Sequence, residues 1–420
     1  MLVAEIAAFH VRPVAILRVK TADEALQFFA NYNVLYAITM QYYLTFFVLI
    51  TLTTVSAARS VQTPFSTDSS TEKRGPPCDC YSVSGPDAGY FQHHRFWDFR
   101  QVPLNLLAAK DFKFQPITQA DASTATENND INAAPILLKD TPFAAEWLIQ
   151  DWQRSGSQLF PIPIANSNQN AFLTRSLAGG TSFLAMRTKR FERYSSTAEI
   201  ETNISNFMHV SFRVRLRILG NDEPILSPPL IENKAFGKRN DEMADMRIQE
   251  DPRFQRIAAR LPPSTGACVG IFTFFSRTSE SDIEILTSDP PNRAHYANQP
   301  DYDPIRNIVI PGSQVAVDAH VPWTQWSTYR LDWLPGMSRW YVEDRLQASL
   351  AYGVPVDPSR LIVNIWSDGG LWSGNLTVGN SVHLGIEWIE IAYNLTGEAP
   401  RPCNVVCRID GVKTPGVPEM

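Results

Sequence analysis

Positive charge is in short supply in this 420-residue sequence, which has 37 Lys and Arg residues against 43 Asp and Glu and a net charge of −6. A surface that binds nucleic acid needs a positive excess, so nucleic acid is excluded as the main partner. Histidine (7) and cysteine (5) are also scarce, and no cluster of them has the spacing of a metal-ligand set. We therefore predict neither a metal nor another cofactor.

Amphipathic helical patterns are rare from Tyr90 onward, where Pro, Gly, Asn and Asp separate short runs of alternating polarity. Many short strands without long helices between them predict an all-β fold, either a two-sheet sandwich or a jelly roll. The length allows two or three average domains, but a sandwich of about 250 residues can form one. Ala144–Arg154, just after Pro142, is the best candidate for a helix or lid. The clearest alternating runs are Phe183–Arg187, Met208–Leu219, Ser327–Trp333, Trp340–Val342, Leu361–Trp366 and Val382–Ala392.

A long apolar segment lies within residues 1–58, which we interpret as an N-terminal extension with a secretory signal. Ala25–Ala58 contains no charged side chain, and Val34–Leu52 is apolar enough to enter a membrane. Val55-Ser56-Ala57 resembles a small-residue cleavage site. The protein is therefore expected to be secreted, to the medium or the cell wall.

Two other interpretations of this segment stay open. Translation could start at Met40, which begins a stretch of ordinary signal length. Alternatively, the positive charges of Arg12, Arg18 and Lys20 could hold the N-terminus in the cytoplasm beside an uncleaved anchor. Contact with a membrane is expected only in that second case.

Two cysteine pairs bound the expected folded domain, residues 78–410, which follows a Ser/Thr/Pro-rich linker at 59–77. The pairs are Cys78 with Cys80 and Cys403 with Cys407. In a secreted chain such pairs predict disulfides that tie the two ends together, with Cys268 left over and buried. Their connectivity stays open, and a zinc site is the weaker alternative because export is oxidising.

Three Asn-X-Ser/Thr triplets agree with a secretory route. They are Asn203-Ile204-Ser205, Asn375-Leu376-Thr377 and Asn394-Leu395-Thr396. Each is a candidate N-glycosylation site.

The stretch Glu280–Glu284 places three acids at alternate positions of a predicted strand. Alternation puts Glu280, Asp282 and Glu284 on one face, and neighbouring like charges are unfavourable there. Two glutamates four residues apart can lean until their carboxyls are about 5–6 Å apart, close to the ~5–5.5 Å that retaining glycosidases need. A solvent-exposed acidic strand is the alternative interpretation of these five residues.

The surrounding string SESDIEILTSDP resembles the E-x-D-x-E catalytic signature of glycoside hydrolase family 16, in the version of secreted fungal members. Cys78–Arg100, Tyr329–Gln347 and Asn364–Asn375 match the same family in chain order. The resemblance implies a concanavalin A-like jelly-roll sandwich of two curved antiparallel sheets, with a substrate cleft on the concave face.

The resemblance also implies a role for each acid. Glu280 is then the nucleophile, Asp282 an assisting carboxylate and Glu284 the acid/base, whose pKa the charges of the other two should raise. The chain is accordingly expected to be a monomeric O-glycosyl hydrolase, a retaining endo-β-glucanase acting on β-1,3- or β-1,3/1,4-glucan. A cell-wall transglycosylase and a non-catalytic lectin on the same fold are the alternatives.

Four further residues are expected to bind substrate, because they match cleft positions of the family. They are Asn364, Trp366, Tyr296 and Asn298. Trp333, Trp340 and Trp388 are instead predicted to pack in the core. Residues 221–263 depart from the family, which has a short turn here, and are expected to form a poorly ordered insertion.

Overall fold

Antiparallel strands make up nearly all the regular structure of the computed structural model. The structure describes residues 78–86, 89–116, 133–178, 180–230, 261–306 and 308–420. The predicted signal, the linker and most of the predicted insertion (231–260) lie outside them. Within the described residues, no helix is both long enough and apolar enough to cross a membrane.

The described residues contain 23 strands, one short α-helix (α1, Leu106–Lys110) and 3₁₀ turns at Leu138–Asp140, Pro142–Ala145 and Asn168–Asn170. The strands are β1 (Cys80–Ser82), β2 (Tyr90–Phe91), β3 (His93–Asp98), β4 (Ile136–Leu137), β5 (Trp147–Ile149), β6 (Gln153–Arg154), β7 (Ile164–Asn166), β8 (Ala171–Arg175), β9 (Ser182–Arg190), β10 (Ser195–Thr202), β11 (Phe207–Ile218), β12 (Cys268–Ser276), β13 (Ser279–Leu286), β14 (Arg293–Asn298), β15 (Tyr302–Asp303), β16 (Ile308–Val309), β17 (Gln314–Asp318), β18 (Ser327–Leu334), β19 (Met337–Val342), β20 (Arg345–Leu350), β21 (Arg360–Trp366), β22 (Ser381–Leu395) and β23 (Val406–Arg408).

These strands form two main sheets that pack face to face. The first has the order β20-β19-β18-β11-β22. The second half of β22 pairs with β3 and its first half pairs with β9. Beyond β9, the sheet continues with β8 and then β4. The second has the order β17-β14-β13-β12-β21-β10-β5. Strand β10 belongs to both, because Ser195 and Ser196 pair with β9 while Ala198–Glu201 pair with β21. The predicted all-β sandwich is confirmed.

The core between the sheets is aromatic where β13 and β14 face β19. The Tyr296 ring packs against Trp340 at a tilt, with ring centroids 5.7 Å apart, and Ser281 Oγ lies 2.8 Å from Ser338 Oγ. The tryptophans assigned to the core, Trp333, Trp340 and Trp388, are buried as predicted.

The prediction of a helix or lid at Ala144–Arg154 is wrong. The segment contains the end of a 3₁₀ turn, then β5 and β6, and β5 pairs with β10. Trp147 is fully buried and packs against Trp97 and Phe143. Burial of this ring and pairing with an existing sheet override the local helical pattern.

The two ends of the described domain are joined, as the cysteine pairs predicted. Strand β1 runs parallel to β23, and disulfides link Cys78 to Cys407 and Cys80 to Cys403. Cys268 is free and buried, which also confirms the prediction.

A buried ion cluster fixes the C-terminal segment on the first sheet. Asp410 Oδ1 lies 2.6 Å from Arg213 Nη1, and Asp410 Oδ2 lies 3.3 Å from Arg330 Nη1. Burial alone would raise the pKa of Asp410, but the two guanidinium groups and hydrogen bonds from Ser84 outweigh it and lower that pKa.

We expect Asp410→Ala to lower the free energy of unfolding by about 3 kcal/mol at neutral pH, because it leaves two buried cations with less countercharge. Urea unfolding measures this, with the exposed Glu192→Ala as control. A carboxyl with a lowered folded pKa stabilises above its unfolded pKa of about 3.9 and loses that effect as the pH falls. The difference between variant and wild type should therefore shrink below about pH 4. A loss of unfolding free energy no larger than that of Glu192→Ala would contradict a stabilising role for this ion cluster.

Candidate active site

Strand β13 carries the three acids on one face, here called the acid face of the second sheet. Alternation along the strand sends Ser281 and Ile283 to the other side, where Ser281 contacts the first sheet. Glu280, Asp282 and Glu284 therefore point away from the core, as predicted. Their cross-strand partners on β12 are Phe274, Phe272 and Gly270, respectively, and none of these carries a charge.

Glu280 and Asp282 form a hydrogen-bonded pair of carboxyls. Burial is the main reason that the pKa of Glu280 rises to about 7, and the charges of Glu284, Asp301 and Glu199 add to it. Burial and the charge of Glu280 hold the pKa of Asp282 well above its usual range. These shifts favour a single proton shared by the two carboxyls, with Asp282 as the donor to Glu280.

Glu284 is held protonated near neutrality. Burial is the main cause that raises its pKa to about 8, followed by the charge of Asp282. Hydrogen bonds from Cys268 and Trp372 act in the opposite direction. The direction agrees with the prediction, but the expected cause was incomplete, because loss of solvation outweighs charge repulsion.

Gln299, which was not among the predicted site residues, directly follows β14 and supports the carboxyl pair. Its Nε2 donates to Asp282 Oδ2 at 3.0 Å, and its backbone N–H donates to Glu280 O at 2.9 Å. Gln299 Oε1 in turn accepts from the Asp301 backbone N–H at 3.0 Å. Asp282 is therefore oriented by an amide fixed at both ends.

Asn364 and Trp366 lie on the acid face, where the resemblance placed them. Asn364 pairs across strands with Gly270, which itself pairs with Glu284. A Cβ at position 270 would lie 2.6 Å from Asn364 Oδ1, so glycine is required for this close approach. Asn364 Oδ1 is buried and has no hydrogen-bond partner among the described residues.

Glu199 and Trp152 extend the acid face beyond Asn364 and were also missed. Asn364 Nδ2 donates to Glu199 Oε2 at 3.2 Å, and Trp152 Nε1 donates to Glu199 Oε1 at 2.7 Å. Trp152 is 41% exposed, so its ring is open to solvent. The alternation of Glu199 and Glu201 in β10 is the signal that could have found the first of them.

Trp372 reaches Glu284 from the loop after β21. The loop is anchored by Asp368, which accepts from Arg154 Nη2 at 2.6 Å and from Ser373 Oγ at 3.0 Å. The Trp372 ring also contacts His295, with centroids 4.8 Å apart. Trp372 lies within Asn364–Asn375, a stretch that resembles the family, but no role was predicted for it.

The prediction that Tyr296 and Asn298 line the cleft is wrong. They pair with Ile283 and Ser281, so they share the inward face of the sheet, and both are fully buried. Asn298 accepts from Ser281 Oγ and donates through Nδ2 to Tyr352 O at 2.8 Å. Cross-strand partners share a face, and that parity excludes both residues from the acid face.

A pocket of about 370 Å³ lies away from the acid face, near the end of β22. Its lining mixes apolar residues, among them Met208 and Val356, with polar ones, among them His209 and the sequon residue Asn394. In the described part of the chain, no three His, Cys, Asp or Glu side chains are grouped so that they could hold a metal ion.

Known proteins resemble parts of this chain. No family model matches it. A β-glucanase of Paenibacillus polymyxa is 29% identical over 73 residues (17% of this chain, 31% of that protein), and one of Bacillus subtilis (strain 168) is 27% identical over 141 residues (31% and 54%). The chain thus spans about a quarter to a half of the length of the curated relatives it matches.

Solved structures also align with the chain. The Bacillus licheniformis β-glucanase aligns at a TM-score of 0.39 and 14% identity, covering 59% of this chain and 92% of that one. The laminarinase from Rhodothermus marinus aligns at a TM-score of 0.38 and 18% identity, covering 61% and 92%.

Proposed function

We propose that this chain is a retaining endo-β-glucanase of glycoside hydrolase family 16 that hydrolyses β-1,3- or mixed β-1,3/1,4-glucan. The observation that carries the proposal is the set of three carboxyls on one face of β13, of which Glu284 is protonated near neutrality and Asp282 shares a proton with Glu280. A protein that only binds glycan, such as a lectin, does not need three adjacent carboxyls. The local similarity to curated β-glucanases supports the same activity.

In the first step, Glu280 attacks the anomeric carbon while the bond to the leaving sugar breaks. Glu284 gives its proton to the departing oxygen, and a covalent glycosyl-enzyme forms on Glu280. Esterification removes the charge of Glu280, and Glu284 is left as a carboxylate. In the second step, Glu284 takes a proton from water, which attacks the same carbon and releases the sugar with retained configuration.

Asp282 acts on Glu280 in both steps. Its hydrogen bond stabilises the carboxylate before attack and again when the ester breaks. Gln299 holds Asp282 in position for this task.

The sugars next to the cleaved bond are proposed to bind along Asn364 and Trp366. Sugar rings stack on exposed aromatic faces, and two partly exposed tryptophans provide such faces: Trp152 beside Glu199 and Trp372 beside Glu284. The unpartnered Asn364 Oδ1 would accept a hydrogen bond from a sugar hydroxyl.

A substrate screen tests the function. The purified protein should release reducing sugar from laminarin or lichenan, and product sizing should show short oligosaccharides. Products longer than the substrate would identify a transglycosylase, and binding without any release would identify a lectin. Xyloglucan and chitin serve as the comparison glycans. We propose that the active form is a monomer, which size-exclusion chromatography checks.

We further propose that the protein is secreted and carries N-glycans, first of all at Asn375. Asn375 is exposed on the loop after β21, whereas Asn394 Oδ1 accepts from Gln92 N at 2.9 Å and Asn203 Nδ2 donates to Ala145 O at 2.6 Å. We expect peptide mapping to find higher occupancy at Asn375 than at the other two sequons. An unmodified Asn375 in protein collected from the medium would contradict this order.

A further inference from the structure

Cys268 is the one cysteine outside the two disulfides, and its thiol lies against Glu284. It occupies the start of β12, is fully buried, and shares the acid face with Glu284 and Trp366. Cys268 Sγ is 3.4 Å from Glu284 Oε1 and 3.7 Å from Val269 O. A thiol carries a single proton, so it can donate to only one of these oxygens at a time.

The thiol stays neutral over the range in which Glu284 titrates. Burial, then the charge of Glu284 and its hydrogen bond, raise the pKa of Cys268 well above its usual value. A neutral thiol is a donor, and an ionised carboxylate is a stronger acceptor than a backbone carbonyl. The shorter of the two contacts therefore becomes the hydrogen bond when Glu284 loses its proton.

We propose that Cys268 is a positioning residue for Glu284: its thiol holds Oε1 against β12 and leaves Oε2 to exchange the proton with the substrate. A hydrocarbon side chain of similar size would fill the same space without fixing either oxygen. The consequence for turnover rests on the proposed function, whereas the bond between thiol and carboxyl does not.

The bond favours the base form of Glu284. The thiol donates more strongly to the carboxylate than to the carboxylic acid, so it opposes the rise in pKa that burial causes. Glu284 can therefore adopt both the protonated and the ionised form that a double displacement requires. Without the donor, the proton would be held more tightly and the second step would be slower.

The S–H stretching vibration tests the contact without any assay of activity. The chain has five cysteines, and four are in disulfides, so one thiol band is expected and it belongs to Cys268. We expect the band to move to lower frequency as the pH rises through about 8, where Glu284 ionises. Glu284→Gln should abolish that movement, while Val269→Ala, a buried change on the opposite face of β12, should preserve it. The proposal is overturned if the band frequency does not change with pH in the wild type, or if it changes by the same amount in Glu284→Gln.

A pair of variants tests the effect on turnover. Cys268→Val fills the site without a donor, and we expect the alkaline limb of kcat/KM to move up by about 0.5 to 1 pH unit. Cys268→Ser restores a donor and should keep the limb at or below its wild-type position. Equal shifts in both variants, or none in either, would mean that Cys268 only packs. If the wild type releases no sugar from any glucan, the proposed function fails, and the S–H titration still decides the contact.

Discussion

Glu280→Gln is expected to lower kcat on β-glucan by about 10⁴-fold or more while the fold persists. An amide cannot form the glycosyl ester, and Gln299 and Asp282 cannot replace the missing nucleophile. Reducing-sugar release measures the loss, and the exposed Glu192→Gln is the matched control for the same chemical change. Activity above a few per cent of wild type, with normal thermal unfolding, would remove Glu280 from this role.

The same substitution should stabilise the protein in alkaline solution. The folded pKa of Glu280, about 7, lies above the unfolded value of about 4.3. The folded state therefore binds the proton more tightly, and stability falls as the pH rises between those two values. Glutamine has no proton to lose, so we expect the melting temperature of Glu280→Gln to exceed that of wild type at pH 8 and to match it near pH 4. A variant less stable than wild type at pH 8 would contradict this sign.

Glu284→Ala is expected to slow hydrolysis of glucan by about 10²- to 10⁴-fold. The loss should be smallest in the first step for activated aryl glycosides, because a good leaving group needs little protonation. The alkaline limb of the pH profile near pH 8, which we assign to Glu284, should disappear with it. Steady-state rates of both substrate classes across pH check these expectations.

Added azide separates the roles of the two glutamates. A small anion fits the space that Glu284→Ala vacates and needs no general base, so it should restore turnover and yield a β-glycosyl azide with retained configuration. Glu280→Gln should not respond in this way. An α-glycosyl azide from Glu284→Ala would mean that Glu284 is the nucleophile and that the two assignments are reversed.

The acid face could be predicted because its three acids lie within one short stretch of sequence. Glu280, Asp282 and Glu284 alternate within one strand, and a strand fixes which side chains share a face. Asn364 and Trp366 likewise follow from one strand and a family motif. The two disulfides follow from paired cysteines at both ends, although only the fold decides that Cys78 meets Cys407.

The remaining site residues depend on register between strands, which the sequence does not state. Whether Tyr296 or His295 faces the acids depends on how β13 and β14 pair across the intervening loop. The sequence resemblance pointed to the wrong parity. Cys268 reaches Glu284 only because Gly270 pairs with Glu284. Trp372 depends on a loop held by Asp368. Contacts of this kind arise from tertiary packing, so no local sequence pattern predicts them.

The paired cysteines at the two ends also make the domain a covalent ring. The bridges span 329 and 323 positions, so nearly the whole described chain lies between the linked residues. A single peptide-bond cut anywhere from Cys80 to Cys403 opens the ring but releases no fragment. We expect a nicked molecule to keep its full mass until a reductant is added, and its two pieces to stay at high effective concentration. After one protease cleavage the two pieces can still refold together, and only a second cut removes part of the sandwich.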